Sequence, residues 1–359
     1  MKIAIILGTR PEIIKMSPLI KECIRKKLNF FILHTNQHYT ENLDKIFFKE
    51  LYLPEPKYNL GIGSGTHGLQ TGKMIIEIEK ILLEEKPEVV LVQGDTNTVL
   101  AGALTASKLH IKIAHIEAGL RSYDRNMPEE INRIITDHIS DYLFVPTKIQ
   151  REILINEGID KNKIYIVGNT IVDAVYQNIK LAVKNQKLIN SLGLEKKKYF
   201  LVTIHRAENV DYFEKLAQIL KSFELIYSKY KFTLFFPIHP RTKKMIDKWN
   251  IRIPNGTILH EPIGYLEFLY LLKNAKVVLT DSGGIQEEAC ILHIPCVTLR
   301  ENTERPETIK VGANVLAGTN PKKILISLEK MFRKKRNWKN PFGDGKAGQK
   351  IVKIIKENE

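Results

Sequence analysis

The chain has 359 residues, of which 43% are hydrophobic and 26% are charged, and its three cysteines lie in no metal-binding or redox spacing. This composition is ordinary for a globular protein, and the length favours two domains over one. No apolar run approaches the roughly 18 residues that span a bilayer, so we expect no membrane partner. The first residues have the pattern of a strand rather than of a signal peptide, so we expect a cytoplasmic protein.

The net charge is +15, and residues 321–359 contain twelve Lys or Arg against four Asp or Glu. A basic segment of this kind can bind nucleic acid. Here, however, the charges follow a helical period. We interpret them as the solvent-exposed sides of amphipathic helices and expect no nucleic-acid partner.

Short apolar runs alternate with helical patterns along the chain. Because these runs lack polar alternation, they indicate strands that are buried on both faces, as in a parallel sheet covered by helices. We therefore predict an α/β protein of two Rossmann-like, doubly wound domains, over residues 1–170 and 171–344. The predicted strands are 3–7, 30–34, 89–93, 112–116, 142–145, 164–167, 200–204, 232–238, 256–259, 277–281, 295–298 and 313–316.

Open α/β sheets bind ligands at the carboxyl ends of their strands, so the residues that follow each strand are candidates for function. If the two domains face each other, these ends line one cleft. In chain order the candidates are GTRPE (8–12), Gly94-Asp95-Thr96, Glu117-Ala118-Gly119, His205-Arg206, His239-Pro240-Arg241 and Asp281-Ser282-Gly283-Gly284.

The first of these motifs, GTRPEIIKM at 8–16, has two interpretations. Thr9, Pro11 and Glu12 are typical of a helix start with a capping box. Capping does not explain Arg10 and Lys15. Arg10, at the end of a strand, can reach a diphosphate or a sugar, whereas for Lys15 a functional and a structural role stay open.

Acidic residues follow two successive strands of the first domain. We expect Asp95 and Glu117 to lie near one another at the sheet edge, and Glu129 begins a helix in MPEEINR, residues 127–133. An Asp after a strand is often only an N-cap, and a PEE sequence often only starts a helix. Three carboxylates in one cleft would instead suit proton transfer on opposite faces of a sugar carbon.

The second domain contains a glycine turn in LTDSGGIQEEA, residues 279–289. Gly283 and Gly284 would let backbone N–H groups approach an anion at a helix N-terminus, and Ser282 adds a hydroxyl. Glu288 lies about one turn later and could accept hydrogen bonds from a ribose diol. The pattern suggests a nucleoside diphosphate, and the alternative is a turn that only caps the helix.

Histidines also follow strands of the second domain. His205 and His239 could carry a proton and Arg206 could bind phosphate, with a structural role as the alternative for each. Other histidines have no comparable position and are interpreted as structural: His38, His67, His110, His115 and His138. The sequence contains no metal-ligand cluster and no complete dinucleotide or P-loop fingerprint, so we expect neither a metal nor a cofactor.

Together these motifs resemble those of the non-hydrolysing UDP-N-acetylglucosamine 2-epimerases. One departure is Gln93, which replaces the histidine that usually precedes Gly94-Asp95-Thr96 in that family. The matching stretches follow the family's order over residues 8–307: GTRPEIIKM, VQGDTNT, HIEAGLRS, PEEINR, VGNTIVDA, HRAEN, LTDSGGIQEEA and RENTERPE.

The resemblance implies a GT-B fold, a homodimer, and interconversion of UDP-N-acetylglucosamine and UDP-N-acetylmannosamine through elimination of UDP, in polysaccharide biosynthesis. A C-terminal helix at 345–359 would pack back on the first domain. The implied acid/base residues are Asp95, Glu117, Glu129 and His205. The implied UDP contacts are Arg10, Ser282, Gly283, Gly284 and Glu288, with Arg206 and His239 nearby; Lys15 is counted with them, and Arg300 and Arg305 are further candidates. A hydrolysing epimerase and a GT-B glycosyltransferase remain as alternatives.

Overall fold

The computed structural model describes residues 1–37, 47–183 and 187–358, so His38 lies outside the described residues. The chain divides into two compact units. The first contains residues 1–176 and takes back the C-terminal segment from Phe342 onward, and the second contains Gln177–Pro341. The sequence analysis places these boundaries after residues 170 and 344.

The first unit is a seven-stranded sheet in the order β3-β2-β1-β4-β5-β6-β7, in which each pair of neighbours is parallel. Its strands are β1 (Lys2–Leu7), β2 (Asn29–His34), β3 (Tyr58–Asn59), β4 (Val89–Gln93), β5 (Lys112–Ile116), β6 (Tyr142–Val145) and β7 (Ile164–Ile166). Its helices are α1 (Arg10–Arg25), α2 (His67–Glu85), α3 (Asn97–Lys108), α4 (Pro128–Ile139), α5 (Lys148–Asn156) and α6 (Thr170–Ala182), the last of which continues into the second unit.

The second unit is a six-stranded parallel sheet in the order β10-β9-β8-β11-β12-β13. Its strands are β8 (Tyr199–Thr203), β9 (Thr233–Pro237), β10 (Thr257–His260), β11 (Val277–Thr280), β12 (Cys296–Thr298) and β13 (Asn314–Leu316). Its helices are α7 (Leu188–Ser191), α8 (Ala207–Val210), α9 (Phe213–Tyr230), α10 (Pro240–Lys248), α11 (Tyr265–Asn274), α12 (Gly283–Ile291), α13 (Pro306–Lys310) and α14 (Pro321–Phe332).

The predicted α/β class, with two doubly wound parallel sheets, is confirmed. All twelve predicted strands form, and each predicted end lies within one residue of the observed end. Their side chains are apolar on both faces: in β1, for example, Ile3 to Leu7 are at most 1% exposed. The two-residue strand β3 was not predicted, because a strand of that length has no periodicity to detect.

In both sheets the strand order reverses beside the first strand, and this reversal is where doubly wound folds bind ligands. The reversal lies between β1 and β4 in the first unit and between β8 and β11 in the second. The carboxyl ends of these strands precede the motifs at residues 8–12, 94–96, 205–206 and 281–284. The fold therefore places four of the predicted motifs at the two reversal points.

The chain ends in helix α15 (Ala347–Glu357), which packs against α1. The carboxylate of Asp173 accepts hydrogen bonds from the backbone N–H groups of Ala347, at 3.1 Å, and Gly348, at 3.0 Å. Burial raises the pKa of Asp173 to about 6, against the effect of these hydrogen bonds. A Cβ at Gly348 would come within 3.2 Å of the backbone of Pro18, so glycine lets α15 approach α1 without a shift of either helix.

Among the described residues, each helix is too short or too polar to cross a lipid bilayer. That same part of the chain contains no group of three His, Cys, Asp or Glu side chains arranged to hold a metal ion.

Candidate active site

Glu117 occupies a constrained position at the carboxyl end of β5. Its backbone has φ +69°, in the left-handed region that residues other than glycine rarely adopt. The residue is 5% exposed, and its Oε2 lies 2.5 Å from Nζ of Lys15. The side-chain amide of Gln93, the last residue of β4, also donates to Oε2. Such backbone strain costs on the order of 1–3 kcal/mol and occurs mainly at functional sites.

Lys15 lies on the buried side of α1 and is only 8% exposed. The sequence analysis places it with the UDP contacts, and the structure shows that its ammonium group pairs with Glu117. Burying a carboxylate without a partner destabilises the folded state. The ion pair with Lys15 offsets this cost for Glu117. Its contact with UDP stays a prediction.

Asp95 is held by two residues of the MPEEINR segment. Its Oδ2 accepts hydrogen bonds from Arg133, from Nη2 at 2.5 Å and from Nε at 3.1 Å. Its backbone carbonyl accepts from the side chain of Asn132 at 3.0 Å. β4 and β5 are paired in register, with Gln93 opposite Ile116. Asp95 and Glu117 therefore leave neighbouring strands at the same edge of the sheet.

The two adjacent acids of α4 have different surroundings. Glu130 is buried, accepts hydrogen bonds from the backbone N–H groups of Ser122 and Tyr123, and pairs with Arg133 at 2.5 Å. Glu129 lies on the first turn of α4 and is partly exposed, and no residue in the described ranges bonds to its side chain. Glu130 therefore stabilises the loop before α4, whereas Glu129 is the carboxylate of this pair that a ligand can reach.

The turn after β1 confirms the predicted capping box, and it does more than start α1. Oε2 of Glu12 accepts from the backbone N–H groups of Gly8 and Thr9, each at 2.7 Å, and Oε1 accepts from the Thr96 hydroxyl at 2.5 Å. Burial raises the pKa of Glu12 to about 7, although these hydrogen bonds act to lower it. Glu12 thus joins the turns that follow β1 and β4. The guanidinium of Arg10, on the same turn, lies 5.5 Å from the centroid of the Phe47 ring.

In the second unit, Asp281 organises the turn after β8. Its buried carboxylate accepts hydrogen bonds from the backbone N–H groups of His205, at 3.1 Å, and Arg206, at 3.0 Å. The imidazole rings of His205 and His239 lie 5.6 Å apart between centroids, so the structure brings these two predicted residues together. Partial burial lowers the pKa of His205, and the charge of Asp281 opposes that effect.

His239 also starts helix α10. Its Nδ1 accepts a hydrogen bond from the backbone N–H of Arg241 at 3.2 Å, so a neutral ring carries its proton on Nε2. The structural alternative for His239 thus describes Nδ1, which caps α10. Its predicted contact with UDP would use the other nitrogen.

The glycine turn after β11 forms the N-terminus of α12, with Ser282 as the N-cap residue. A Cβ built at Gly284 would meet no described protein atom within 4 Å, so the backbone there faces open space. The polar residues of α12 divide in role. Glu287 pairs with Arg305 at 2.8 Å. Glu288 instead lies beside Tyr265, and burial of the Tyr265 phenol and the charge of Glu288 both raise the pKa of that phenol.

The two weaker candidates of the RENTERPE stretch lie in buried ion pairs. Arg300 donates to both carboxylate oxygens of Glu304, at 3.0 and 2.9 Å, and its Nε donates to Glu208 at 2.7 Å. Arg305 pairs with Glu287. These contacts stabilise the segment after β12, and contacts of either arginine with UDP stay predictions.

The sequence analysis missed the residues that hold the carboxylates in place. Gln93, Asn132 and Arg133 contact Glu117 or Asp95, and none of them was predicted to have a role in the site. The available signals were a polar residue at the end of an apolar strand, for Gln93, and the NR pair one turn after Glu129. Neither signal indicates which distant side chain is the partner.

The chain is similar to known proteins over almost its whole length. A family model described as UDP-N-acetylglucosamine 2-epimerase matches residues 21–356. The UDP-N-acetylglucosamine 2-epimerase of Methanocaldococcus jannaschii is 61% identical over 362 residues, with 99% of each chain covered. The UDP-2,3-diacetamido-2,3-dideoxy-D-glucuronate 2-epimerase of Pseudomonas aeruginosa is 43% identical over 360 residues, with 99% of each chain covered.

A solved structure gives the same result. The crystal structure of the Methanocaldococcus jannaschii enzyme in complex with UDP-GlcNAc and UDP matches with a TM-score of 0.94 at 61% identity, covering 99% of this chain and 100% of that chain. The likeness confirms the predicted fold class, in which both units are doubly wound and of the GT-B type. Since both the family model and these relatives match nearly the whole chain, it belongs to the UDP-N-acetylglucosamine 2-epimerase family of isomerases.

Proposed function

We propose that the chain interconverts UDP-N-acetylglucosamine and UDP-N-acetylmannosamine, without a cofactor, by inverting C2 of the sugar. The family supports the reaction class, and the 61% identity to the Methanocaldococcus jannaschii enzyme supports the substrate. The observation that carries the proposal is the pair of carboxylates at neighbouring strand ends, Asp95 and Glu117. Each is paired with a cation, Arg133 or Lys15, that is itself buried.

The chemistry requires such carboxylates. The C2 hydrogen of the sugar is barely acidic because no carbonyl is adjacent to it in the ring. Loss of UDP from C1 develops positive charge on the ring, and a carboxylate can then remove the C2 proton to give an unsaturated 2-acetamidoglucal. A proton returned to the other face and re-addition of UDP to C1 complete the epimerisation. We assign this proton transfer to Asp95, Glu117, Glu129 and His205.

We assign UDP binding mainly to the second unit. The backbone N–H groups of Gly283 and Gly284 can donate to the diphosphate, with open space at Gly284 and the partial positive charge of the α12 N-terminus behind them. Ser282 adds its hydroxyl and Glu288 binds the ribose diol. Further cationic or proton-donating groups complete the proposed set: Arg206 and His239, with Arg10 from the first unit. We assign Lys15 to Glu117, its ion-pair partner, rather than to UDP.

Product analysis tests this function. Incubation with UDP-N-acetylglucosamine alone should give UDP-N-acetylmannosamine, and the reverse reaction should reach the same ratio. Release of UDP with free N-acetylmannosamine would identify a hydrolysing epimerase, and an unchanged nucleotide sugar would fit a glycosyltransferase that lacks its acceptor. Faster turnover of UDP-2,3-diacetamido-2,3-dideoxy-D-glucuronate would contradict the proposed substrate.

We also propose that the chain acts in the cytoplasm as a homodimer and supplies a precursor for polysaccharide biosynthesis. Three large apolar side chains on α2, Leu69, Ile76 and Leu83, are each 55% exposed and lie seven residues apart. This heptad spacing lets two copies of one helix pack against each other. Light scattering should give twice the chain mass, and I76E should halve it. A monomeric wild-type protein would contradict the proposal.

A further inference from the structure

His115 is a buried polar residue in the otherwise apolar core of β5, two residues before Glu117. The sequence analysis interprets it as structural, and the residue is 0% exposed. Its Nδ1 lies 2.7 Å from Oδ1 of Asp137, on α4, and its Nε2 lies 2.8 Å from the carbonyl oxygen of Gly94. One imidazole ring therefore joins α4 to the residue that precedes Asp95.

Both neighbours of this ring are hydrogen-bond acceptors if Asp137 is ionised. A neutral imidazole has one N–H group and one lone pair, so either tautomer would point a lone pair at an oxygen atom. Only a ring with a proton on each nitrogen donates to both Asp137 and Gly94.

The remaining question is whether the shared proton lies on Asp137 instead. Oδ2 of Asp137 accepts a hydrogen bond from Arg121 at 2.7 Å, and the backbone N–H of Gly119 lies 3.3 Å from Oδ1 and 3.2 Å from Oδ2. Burial acts to raise the pKa of Asp137, and the Arg121 guanidinium acts to lower it whatever the state of His115, so that pKa stays below its ordinary value. The carboxylate form of Asp137 is therefore favoured.

The charges of the cluster lead to the same assignment. Arg121 also pairs with Glu157 at 2.5 Å, so the cluster contains Arg121 as a cation, the buried Asp137 as one anion and the partly exposed Glu157, at 29% exposure, as the other. A protonated His115 makes the numbers of cations and anions equal. Buried ions are tolerated when they are paired in this way.

The hydrogen bonds of the cluster reach both proposed catalytic turns. Gly94 immediately precedes Asp95, and Gly119 follows Glu117 by two residues. We propose that His115 is a doubly protonated positioning residue that, together with Asp137, fixes the turns carrying Asp95 and Glu117. The catalytic consequence of this arrangement rests on the proposed function, whereas the protonation state of the ring does not.

Nitrogen NMR of the full chain with ¹⁵N-labelled histidine tests the protonation state directly, with H115Q used to identify the signal. At pH 7.5 both His115 nitrogens should give the signals of protonated nitrogens, because each donates to an oxygen atom. A bare nitrogen on His115 at that pH would overturn the proposal. This measurement needs no activity, so it stands whether or not the proposed function is correct.

A matched pair of variants tests the positioning role. H115N places an amide N–H near the position of Nδ1 and can donate only towards Asp137, whereas H115Q places it near Nε2 and can donate only towards Gly94. Each should lower kcat about 10- to 100-fold, the range seen for residues that orient a reactive group. KM and UDP affinity should change less than about twofold, because the proposed UDP site lies mainly elsewhere. Unchanged kcat in both folded variants, or a matching loss of UDP affinity, would contradict the role.

Discussion

The ammonium nitrogen of Lys15 lies 2.5 Å from Oε2 of Glu117, although 102 residues separate the two in the chain. Both side chains are almost completely enclosed, at 11% and 2% exposure. Because a carboxylate and an ammonium at this distance stabilise each other's charged forms, the pair favours the ionised form of Glu117. Its left-handed backbone fixes the direction in which it points.

This pair predicts that K15M disables Glu117 without removing the nucleotide site. Breaking a buried ion pair from one side costs about 3–5 kcal/mol, so we expect both a lower melting temperature and a loss of epimerisation of at least about 100-fold. The double variant K15M/E117Q removes both charges and should recover most of the stability while staying inactive. UDP affinity, measured by calorimetry, should be preserved in both. A loss of UDP affinity in K15M alone, with normal stability, would place Lys15 on the nucleotide instead.

Variants of the three proposed catalytic carboxylates of the first unit should lose activity, whereas a variant of Glu130, their structural neighbour, should mainly lose stability. D95N, E117Q and E129Q should each lower kcat by about 100- to 10,000-fold, because each removes a proton-transfer group, while UDP still binds. E130Q is the matched control. It weakens the contacts of Glu130 with Ser122 and Tyr123, so its main effect should be on thermal stability. Loss of UDP binding in all three active-site variants would refute the division of roles.

A substitution in the glycine turn of α12 should have opposite effects on the stability of the protein and on its affinity for UDP. Replacing a helical glycine by alanine stabilises a helix by about 0.5–1 kcal/mol, and a Cβ at Gly284 meets no described atom. G284A should therefore unfold at the same or a higher temperature, yet bind UDP more weakly because its methyl group occupies the phosphate approach. G68A changes the corresponding second position of α2, also in open space, and should leave UDP affinity unaltered. Equal UDP affinity for G284A and the wild type would show that the diphosphate does not bind at this turn.

Glu12 predicts a specific pH dependence of stability. Its folded pKa of about 7 lies above the ordinary 4.5, so the folded state holds the proton more tightly than the unfolded state. The resulting stabilisation is complete below about pH 4.5 and is lost as the pH rises through about 7, a change of about 3 kcal/mol. E12Q cannot titrate and should flatten this slope in urea denaturation between pH 4.5 and 7.

Glu304 provides the control for this measurement. Burial acts to raise the pKa of Glu304, but the hydrogen bonds from Arg300 and the charges of nearby arginines together lower that pKa to about 2. The contribution of Glu304 to stability therefore has the opposite sign and is gained as the pH rises between about 2 and 4.5. E304Q should leave the slope between pH 4.5 and 7 as it is in the wild type. An unchanged slope in E12Q would show that Glu12 is ionised throughout that range.

Much of the fold could be predicted because its signals are local. Continuous Val, Leu and Ile runs such as 89–93 indicate buried parallel strands. Thr9 and Glu12, which lie three residues apart, indicate the start of a helix. The candidate motifs then followed from the rule that parallel strands present their carboxyl ends at one edge. These inferences need no knowledge of which distant residues meet.

The partners of the candidate residues could not be predicted in this way. That Lys15 meets Glu117 depends on how α1 packs against β4, and the chain pattern does not specify the register of that packing. Glu129 and Glu130 are adjacent and identical in type, and only the loop at Ser122 and Tyr123 determines which one becomes buried. The sequence analysis interprets His115 as structural because the residue does not follow a strand. Its partners, Gly94 and Asp137, lie 21 and 22 residues away, and the chain pattern does not identify them.

Proton NMR of UDP-N-acetylglucosamine incubated with the chain in D2O tests the central claim most directly. Removal and return of the C2 proton by enzyme carboxylates predicts that UDP-N-acetylmannosamine forms with deuterium at C2. The recovered substrate should also acquire deuterium as the reaction reverses. Epimerised product that keeps its original C2 hydrogen, or a substrate that stays unchanged, would contradict the account.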